Sequence, residues 1–310
     1  MSIFKNRSLY LFIIATIALG LLPLVVKNSY VIYMLFIMFI FIGLSTGWNI
    51  IGGLTGQVSL GHAVFFGIGS YTTAVVWLSG HPPISGIMLG GMLAGISALL
   101  LIPTFRLRGI YFAIGTLFLN EVTKQVFLNW DAVGGGVGLY LPIPTVFVLE
   151  PFYYTALAYC LVTALVALFV HRSKLGLTLN AIREDETAAS VLGIRILPYK
   201  ILALVISAVI FGIGGGVYTS YQTYIEPHST FHLEWGIGPV FMAILGGFGT
   251  FLGPILGAVV YTLIGQSVAT LANMRLLFFS IIIILVVRFM PEGLIGHTKD
   301  LVKRLVRPLG

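Results

Sequence analysis

The sequence predicts an all-α, polytopic integral membrane protein with about ten transmembrane helices. Hydrophobic residues make up 58% of the 310 residues and charged residues only 9%, whereas soluble domains carry about 25% charged residues. The mean hydropathy is +1.04, and apolar runs of bilayer-spanning length recur along the chain. So few charges could not cover a water-facing surface of this size, so most of the surface is expected to face lipid.

Each apolar run is long enough to form a membrane-spanning helix, since a hydrocarbon core of about 30 Å requires roughly 20 helical residues. The runs occupy 9–26, 30–48, 60–79, 84–103, 109–128, 152–171, 200–221 and 275–290. The segment 236–272 is long enough for two further spans, although glycine interrupts it repeatedly. No A-x-A-like cleavage site follows the first run, so it is expected to be a retained span rather than a signal peptide.

The distribution of Lys and Arg predicts the orientation. With the N-terminus inside, thirteen of the seventeen Lys and Arg residues fall on the cytoplasmic side. Both termini are therefore expected in the cytoplasm, with residues 1–296 forming one transmembrane domain and 297–310 a short basic tail. The loop 172–199 is expected inside, and the loops 129–151 and 222–235 outside. The outer loops carry only acidic charges, namely Asp131, Glu150, Glu226 and Glu234.

Two similar glycine-rich stretches, Gly52–Gly61 and Gly246–Pro254, interrupt apolar segments. Glycine destabilises a helix interior by up to about 1 kcal/mol relative to alanine, so these stretches are expected to be broken or re-entrant, or to pack very closely. Interrupted segments in corresponding places of two halves point to a transport site, whether the halves are parallel or inverted. The candidate pathway residues are Asn49, Gly53, Thr55, Gln57, Ser59, His62, Gly246 and Gly247. The alternative for their polar side chains is hydrogen bonding between helices without substrate contact.

The sequence gives little support for a catalytic site, a metal site or a nucleic-acid-binding site. No lysine follows a glycine, so the phosphate-binding loop of ordinary ATPases is absent. His228 and His232 have i, i+4 spacing but lack a third ligand, so no metal site is expected. Basic residues are not collected on a soluble face, which argues against nucleic acid as a partner.

Glu121 and Lys124 stand three residues apart in the fifth run. An ionisable residue inside a membrane span is a functional candidate by default. A local ion pair is the alternative interpretation.

The inner loop 172–199 carries a predicted short helix. Asp185 is a plausible N-cap and Gly193 a plausible residue just past the C-terminus. Between them, Ala188, Ala189 and Leu192 are expected to share one apolar face. Such a face predicts a helix that docks on a partner, although an ordinary solvated connection would also fit.

Five motifs together resemble the permeases of branched-chain amino-acid importers of the ATP-binding-cassette (ABC) class, and more narrowly the M-type member of their two homologous permeases. The motifs run from Gly56 to Tyr71 (GQVSLGHAVFFGIGSY), Leu107 to Ile114 (LRGIYFAI), Ala181 to Glu186 (AIREDE), Gly246 to Gly257, and Arg288 to Leu294 (RFMPEGL). The stretch from Gly176 to Ile194 resembles the coupling loop of ABC importer permeases. One departure is Val133 before Gly134, where the family often has threonine.

The resemblance implies a membrane-spanning subunit, not itself an enzyme, that translocates branched-chain or related apolar amino acids across the bacterial inner membrane. The implied partners are a homologous second permease, two cytoplasmic ATPase subunits that hold ATP and Mg, and an extracytoplasmic substrate-binding protein; no cofactor is expected on this chain. The residues implied in ATPase coupling are Gly176, Arg183, Glu184, Asp185, Ala188, Ala189 and Gly193. Two alternatives remain, a permease for urea or short amides and a self-sufficient secondary transporter.

Overall fold

The computed structural model describes residues 16–107, 109–142, 148–267, 288 and 293–295. The helices are α1 Thr16–Val25, α2 Ser29–Thr55, α3 Ala63–Leu78, α4 Pro83–Ser97, α5 Ile110–Leu128, α6 Glu150–Arg172, α7 Lys174–Glu184, α8 Glu186–Val191, α9 Ile196–Tyr221, α10 Pro227–Thr230, α11 Leu233–Gly246 and α12 Gly253–Ser267. A 3-10 helix, Ala98–Arg106, continues α4, and two short strands, β1 Leu139–Tyr140 and β2 Tyr224–Ile225, form a small sheet. The predicted all-α class is confirmed. The tail 297–310 and all of the last predicted span except Arg288 lie outside the described residues.

Nine of the ten predicted spans, namely seven of the eight runs and the two spans of 236–272, overlap helices of the described residues. Four helical segments there are long and apolar enough to cross a membrane, namely Ser29–Thr55, Pro83–Arg106, Glu150–Arg172 and Ile196–Tyr221. The helices α1, α3 and α12 are apolar but shorter. With its 19 residues, α5 is long enough but falls outside the apolar group, because polar residues from Asn120 to Gln125 interrupt it.

The core is built around α2, which is buried from Phe36 to Thr55. It contacts α6, α9, α11 and α12, while α3, α4 and α9 pack tightly on one another. Close approach in the second group depends on small residues: a Cβ on Gly69 of α3 would collide with the backbone of Gly212 in α9. Such backbone contact replaces the hydrophobic driving force, which is lacking between helices in lipid.

The first glycine-rich stretch forms a re-entrant segment, 56–62, although it begins later than predicted. Gly52 and Gly53 remain helical, and α2 ends only at Gly56, which adopts φ 74°. The indole Nε1 of Trp48 donates a hydrogen bond to the carbonyl oxygen of Ser59, 2.8 Å away. Trp48 lies seven residues before Thr55, so the segment climbs back about 10 Å along α2. The helix α3 therefore starts within the bundle, about two turns back from the end of α2.

The loop 222–232, which the sequence predicts to lie outside, extends into the helix bundle. The end of α9 is near the outer end of α2, since the rings of Tyr221 and Tyr33 lie 5.4 Å apart. The ring of Trp235, at the start of α11, stacks on Phe66 at 4.2 Å and lies 5.6 Å from Phe41. Phe41 is twelve residues from the outer end of α2, a depth of about 18 Å. The loop therefore descends to the middle of the bundle before α11 begins.

Candidate functional site

The last turns of α2, which lead into the first glycine-rich break, are joined to the second break by Asn49. The second break is the non-helical segment 247–252 between α11 and α12. The Asn49 Nδ2 donates to the carbonyl oxygen of Thr250 at 2.9 Å, and its Oδ1 accepts from the Gly249 N–H at 3.0 Å. Asn49 is buried in the last turns of α2. The two stretches that the sequence singled out separately therefore form one junction.

Arg183, from the end of α7 in the inner loop, contacts both sides of this junction. Its Nη1 donates a hydrogen bond of 2.7 Å to the carbonyl oxygen of Gly53 in α2. Its guanidinium carbon lies 4.8 Å above the ring of Phe248 in the second break, which is a cation–π contact. Arginine suits this position because its planar, permanently charged group can donate in one direction and stack in another. The negative end of the α2 dipole also favours a cation here.

A second connection runs through Glu186, the first residue of α8. Its Oε1 lies 2.5 Å from Nζ of Lys200 in α9 and accepts a hydrogen bond of 3.4 Å from Nε2 of Gln57 in the first break. Lys200 is only 5% exposed, so its charge depends on this carboxylate. Glu186 was not among the candidate coupling residues, although it ends one of the motifs that carried the resemblance.

The caps of the short inner-loop helix are confirmed. The Asp185 carboxylate accepts hydrogen bonds from the N–H groups of Thr187 and Ala188, at 2.7 and 3.0 Å. Gly193 has φ 84° just past the end of α8. The sequence analysis missed the preceding helix, α7, which begins at the Ser173 cap and buries Gly176 in its first turn.

One residue of the predicted docking face points the wrong way. Ala189 is 2% exposed, whereas Leu192 is 80% exposed and Val191 83% exposed. Since α8 has only six residues, its outward face is narrow, and Ala189 packs inward instead of joining Ala188 and Leu192. The most exposed large apolar side chains of the loop are Leu177, Val191 and Leu192. A bulky charged residue at Ala189 would disturb the packing of α8 rather than remove a docking contact. The outward position of Glu184 is as expected for a polar residue.

Other predicted pathway residues are buried in hydrogen bonds. His62 is fully buried, with Nδ1 3.1 Å from Ser59 Oγ and Nε2 2.9 Å from Ser207 Oγ of α9. Thr55 Oγ1 donates to the Ile51 carbonyl at 2.6 Å. These contacts are the interhelical and local hydrogen bonds that the sequence analysis kept as an alternative. Gly246 ends α11 and Gly247 opens the second break. Contact of these residues with substrate remains a prediction.

The two-stranded sheet joins the loops 129–151 and 222–235, which the sequence predicts to lie outside. Leu139 pairs with Ile225 and Tyr140 with Tyr224. The Tyr224 hydroxyl donates to the carbonyl of Val137 at 2.6 Å. Desolvation, together with the nearby Glu226 carboxylate, raises the pKa of Tyr224, so this hydroxyl remains a donor. Val137 and Tyr140 are 76% and 75% exposed, so the sheet presents an apolar surface with acidic neighbours.

Comparison with known proteins gives one consistent result. A family model described as "Branched-chain amino acid transport system / permease component" matches residues 30–287. The high-affinity branched-chain amino acid transport system permease protein LivM of Escherichia coli is 30% identical over 334 aligned residues, which cover 94% of this chain and 76% of that protein. The LivM protein of Salmonella typhimurium is 28% identical, with 96% and 77% covered. A probable LivM protein of Methanocaldococcus jannaschii is 27% identical, with 69% and 68% covered. No solved structure matches the chain.

Proposed function

Because the chain belongs to the family of permease components of branched-chain amino acid transport systems, we propose that it imports branched-chain or related apolar amino acids as the membrane-spanning subunit of an ATP-driven transporter. The relatives are named as permeases for this substrate class. The observation that carries the ATP-driven part is the contact of Arg183 with Gly53 and Phe248, since it connects the loop 172–199 to the last turn of α2, directly before the first break, and to the second break.

The proposal assigns ATP hydrolysis to two cytoplasmic subunits, which would hold ATP and Mg. The exposed Val191 and Leu192 side chains on α8 would insert into a groove of an ATPase subunit. Two adjacent apolar side chains that are both more than three-quarters exposed, on a loop that also carries charged residues, would suit a contact with a partner protein. This placement puts the inner loop, and both chain termini, in the cytoplasm of a bacterial cell.

Movement of an ATPase subunit would reach the transmembrane helices through two rigid contacts. Arg183 would pull on the last turn of α2 and on the second break, while Glu186 would act on α9 through the buried Lys200. The breaks can respond because the backbone of segments 56–62 and 247–252 is not helical. The helices α3 and α11, which begin deep in the bundle, would then move as short rigid bodies around the pathway.

Two further partners complete the proposed importer. A homologous second permease would face this one across the pathway. A substrate-binding protein would dock on the outer sheet, where the acidic Asp131 and Glu226 lie beside exposed Val137 and Tyr140. Basic residues on the docking face of that protein would complement the acidic side chains.

The test is an affinity pull-down of the tagged chain from detergent-solubilised native membranes, followed by mass spectrometry and by uptake measurements in liposomes. A second permease and ATPase subunits should be recovered, and the reconstituted assembly should import leucine with ATP and competition by isoleucine and valine. Preferred import of urea or acetamide would identify the alternative substrate class. Recovery of this chain alone, active in liposomes under an ion gradient without ATP, would overturn the proposal.

A further inference from the structure

The depth of α5 in the bundle is fixed by two hydrogen bonds on its buried face. The Thr116 hydroxyl accepts from the N–H of Leu60 at 3.1 Å, and Asn120 Nδ2 donates to the carbonyl of Phe231 at 3.0 Å. Leu60 belongs to the re-entrant segment that climbs from the inner side. Phe231 is the tip of the outer loop that descends from the other side. The middle of α5 therefore lies where these two segments approach each other inside the membrane.

The opposite face of α5 is open and carries charge at this depth. The Glu121 side chain is 49% exposed, and its Oε2 lies 2.7 Å from Nζ of Lys124. Gln125 Nε2 donates to the other carboxylate oxygen at 3.3 Å. Phe118 and Val122, on the same side of the helix, are 64% and 58% exposed. The predicted local ion pair therefore forms, and it does so on a surface that the described residues leave uncovered.

Lipid is a poor neighbour for this surface. A charged side chain that faces hydrocarbon costs up to about 2.5–3.5 kcal/mol, the value that insertion scales give for the bilayer centre, while an i, i+3 ion pair on a helix surface returns only about 0.2–0.5 kcal/mol. The same polar residues keep α5 out of the group of helices apolar enough to span a membrane. The open face of α5 is therefore better matched to a water-containing pathway than to hydrocarbon.

We propose that Glu121 and Lys124 bind the ammonium and carboxylate groups of a zwitterionic amino acid, and that Phe118 and Val122 contact its aliphatic side chain. Binding exchanges one ion pair within the helix for two with the ligand, so no net charge enters the membrane. Phe118 lies three residues before Glu121 and four before Val122, so these three side chains are neighbours on the open face. Lys124, whose side chain is only 18% exposed, reaches Glu121 from the flank of that face. This inference rests on the proposed function and names a substrate subsite for it.

The test is equilibrium binding of tritiated leucine to the assembled transporter in lipid nanodiscs, with the binding protein omitted. Two competitors separate the charged ends: N-acetyl-leucine lacks the ammonium group, and leucinamide lacks the carboxylate. The wild type should bind leucine at least about tenfold more tightly than either analogue, since each lost partner is a charge-assisted hydrogen bond.

The variants should show a crossed pattern of selectivity. Glu121→Gln should abolish the preference for leucine over N-acetyl-leucine but keep the preference over leucinamide. Lys124→Gln should abolish the preference for leucine over leucinamide but keep the preference over N-acetyl-leucine. Lys27→Gln removes a charge from an exposed residue outside the spans and should bind like the wild type. The proposal would be overturned if all variants kept both preferences, or if each charge variant lost both preferences equally. A purely structural ion pair predicts that neither variant changes one preference without the other.

A second measurement does not depend on removing either charge. A Val122→Cys variant should react with a water-soluble thiol reagent, and leucine should protect it, while the natural Cys160 is buried and stays unreactive. Reaction with membrane-soluble maleimides alone would place this face in lipid and refute the subsite. If the wild-type assembly imports leucine with ATP but binds none without the binding protein, the subsite is wrong while the proposed function stands. If the assembly imports no leucine at all, the proposed function itself fails.

Discussion

Replacement of Arg183 should uncouple ATP hydrolysis from transport. In Arg183→Ala, the Gly53 carbonyl loses its charged donor and the Phe248 ring loses its cation. A hydrogen bond to a charged group contributes about 1.5–3 kcal/mol, and an exposed cation–π contact about 0.5–1 kcal/mol. Arg183 is partly exposed to solvent, so the low end of these ranges applies, about 2 kcal/mol in total.

A loss of about 2 kcal/mol raises the population of loops detached from the breaks by a factor of about 30. The ratio of leucine imported to ATP hydrolysed, measured in liposomes containing the assembled transporter, should fall by roughly the same order. Arg183→Lys should be intermediate, because lysine keeps the charge but cannot donate and stack at once. Arg195→Ala, an exposed arginine of the same loop, serves as the matched control. A wild-type ratio in Arg183→Ala would refute the proposed path of coupling.

Three further predictions concern the same end of the bundle. Asn49→Ala leaves the Gly249 N–H and the Thr250 carbonyl without their partner. The free energy of unfolding should fall by about 2 kcal/mol, and the midpoint of thermal unfolding in detergent should fall with it. An unchanged midpoint would contradict this role of Asn49. Glu186→Gln leaves the buried Lys200 without its counter-ion and should destabilise the protein. The loss should be only about 2 kcal/mol, because Glu186 is itself half exposed. The double variant with Lys200→Met should recover most of this loss, and a double variant as unstable as the single one would argue against the pair. Leu192→Asp changes a side chain that is 80% exposed, so it should leave the unfolding midpoint unchanged. The amount of ATPase subunits recovered in a pull-down should fall about tenfold. Full recovery would show that α8 is not the docking helix.

The sequence predicted the fold class and most helices because lipid imposes simple rules on composition and length. Hydropathy located the runs that became α2, α4, α6 and α9. It could not locate the ends of α3 and α11, because those ends are fixed by tertiary contacts. The indole of Trp48 holds the re-entrant segment at Ser59, and Trp235 stacks on Phe66 across the chain. Neither contact leaves a periodic signal in the sequence.

The candidate site was predicted in parts that the sequence could not join. Asn49, Gly53, Gln57 and Arg183 were all singled out, but the first three as pathway residues and the last as a coupling residue. Their hydrogen bonds span about 130 to 200 residues, a separation that pattern reasoning cannot bridge. Ala189 was misplaced for a different reason. In a helix of six residues, a small shift in its rotation about its axis decides which alanine points inward.

A covalent replacement of the Arg183 contact tests the central claim most directly. A Cβ atom built on Gly56 would lie 4.0 Å from the Cβ of Arg183, within the range of about 3.5–4.5 Å that a disulfide requires. In the double variant Gly56→Cys with Arg183→Cys, oxidation would join the inner loop to the first break, and reduction would release it. The leucine-to-ATP ratio should be low in Arg183→Cys and in the reduced double variant, and should rise toward the wild-type value when the disulfide forms. A ratio that stays low, or falls further, on oxidation would contradict the claim that the loop and the break move together.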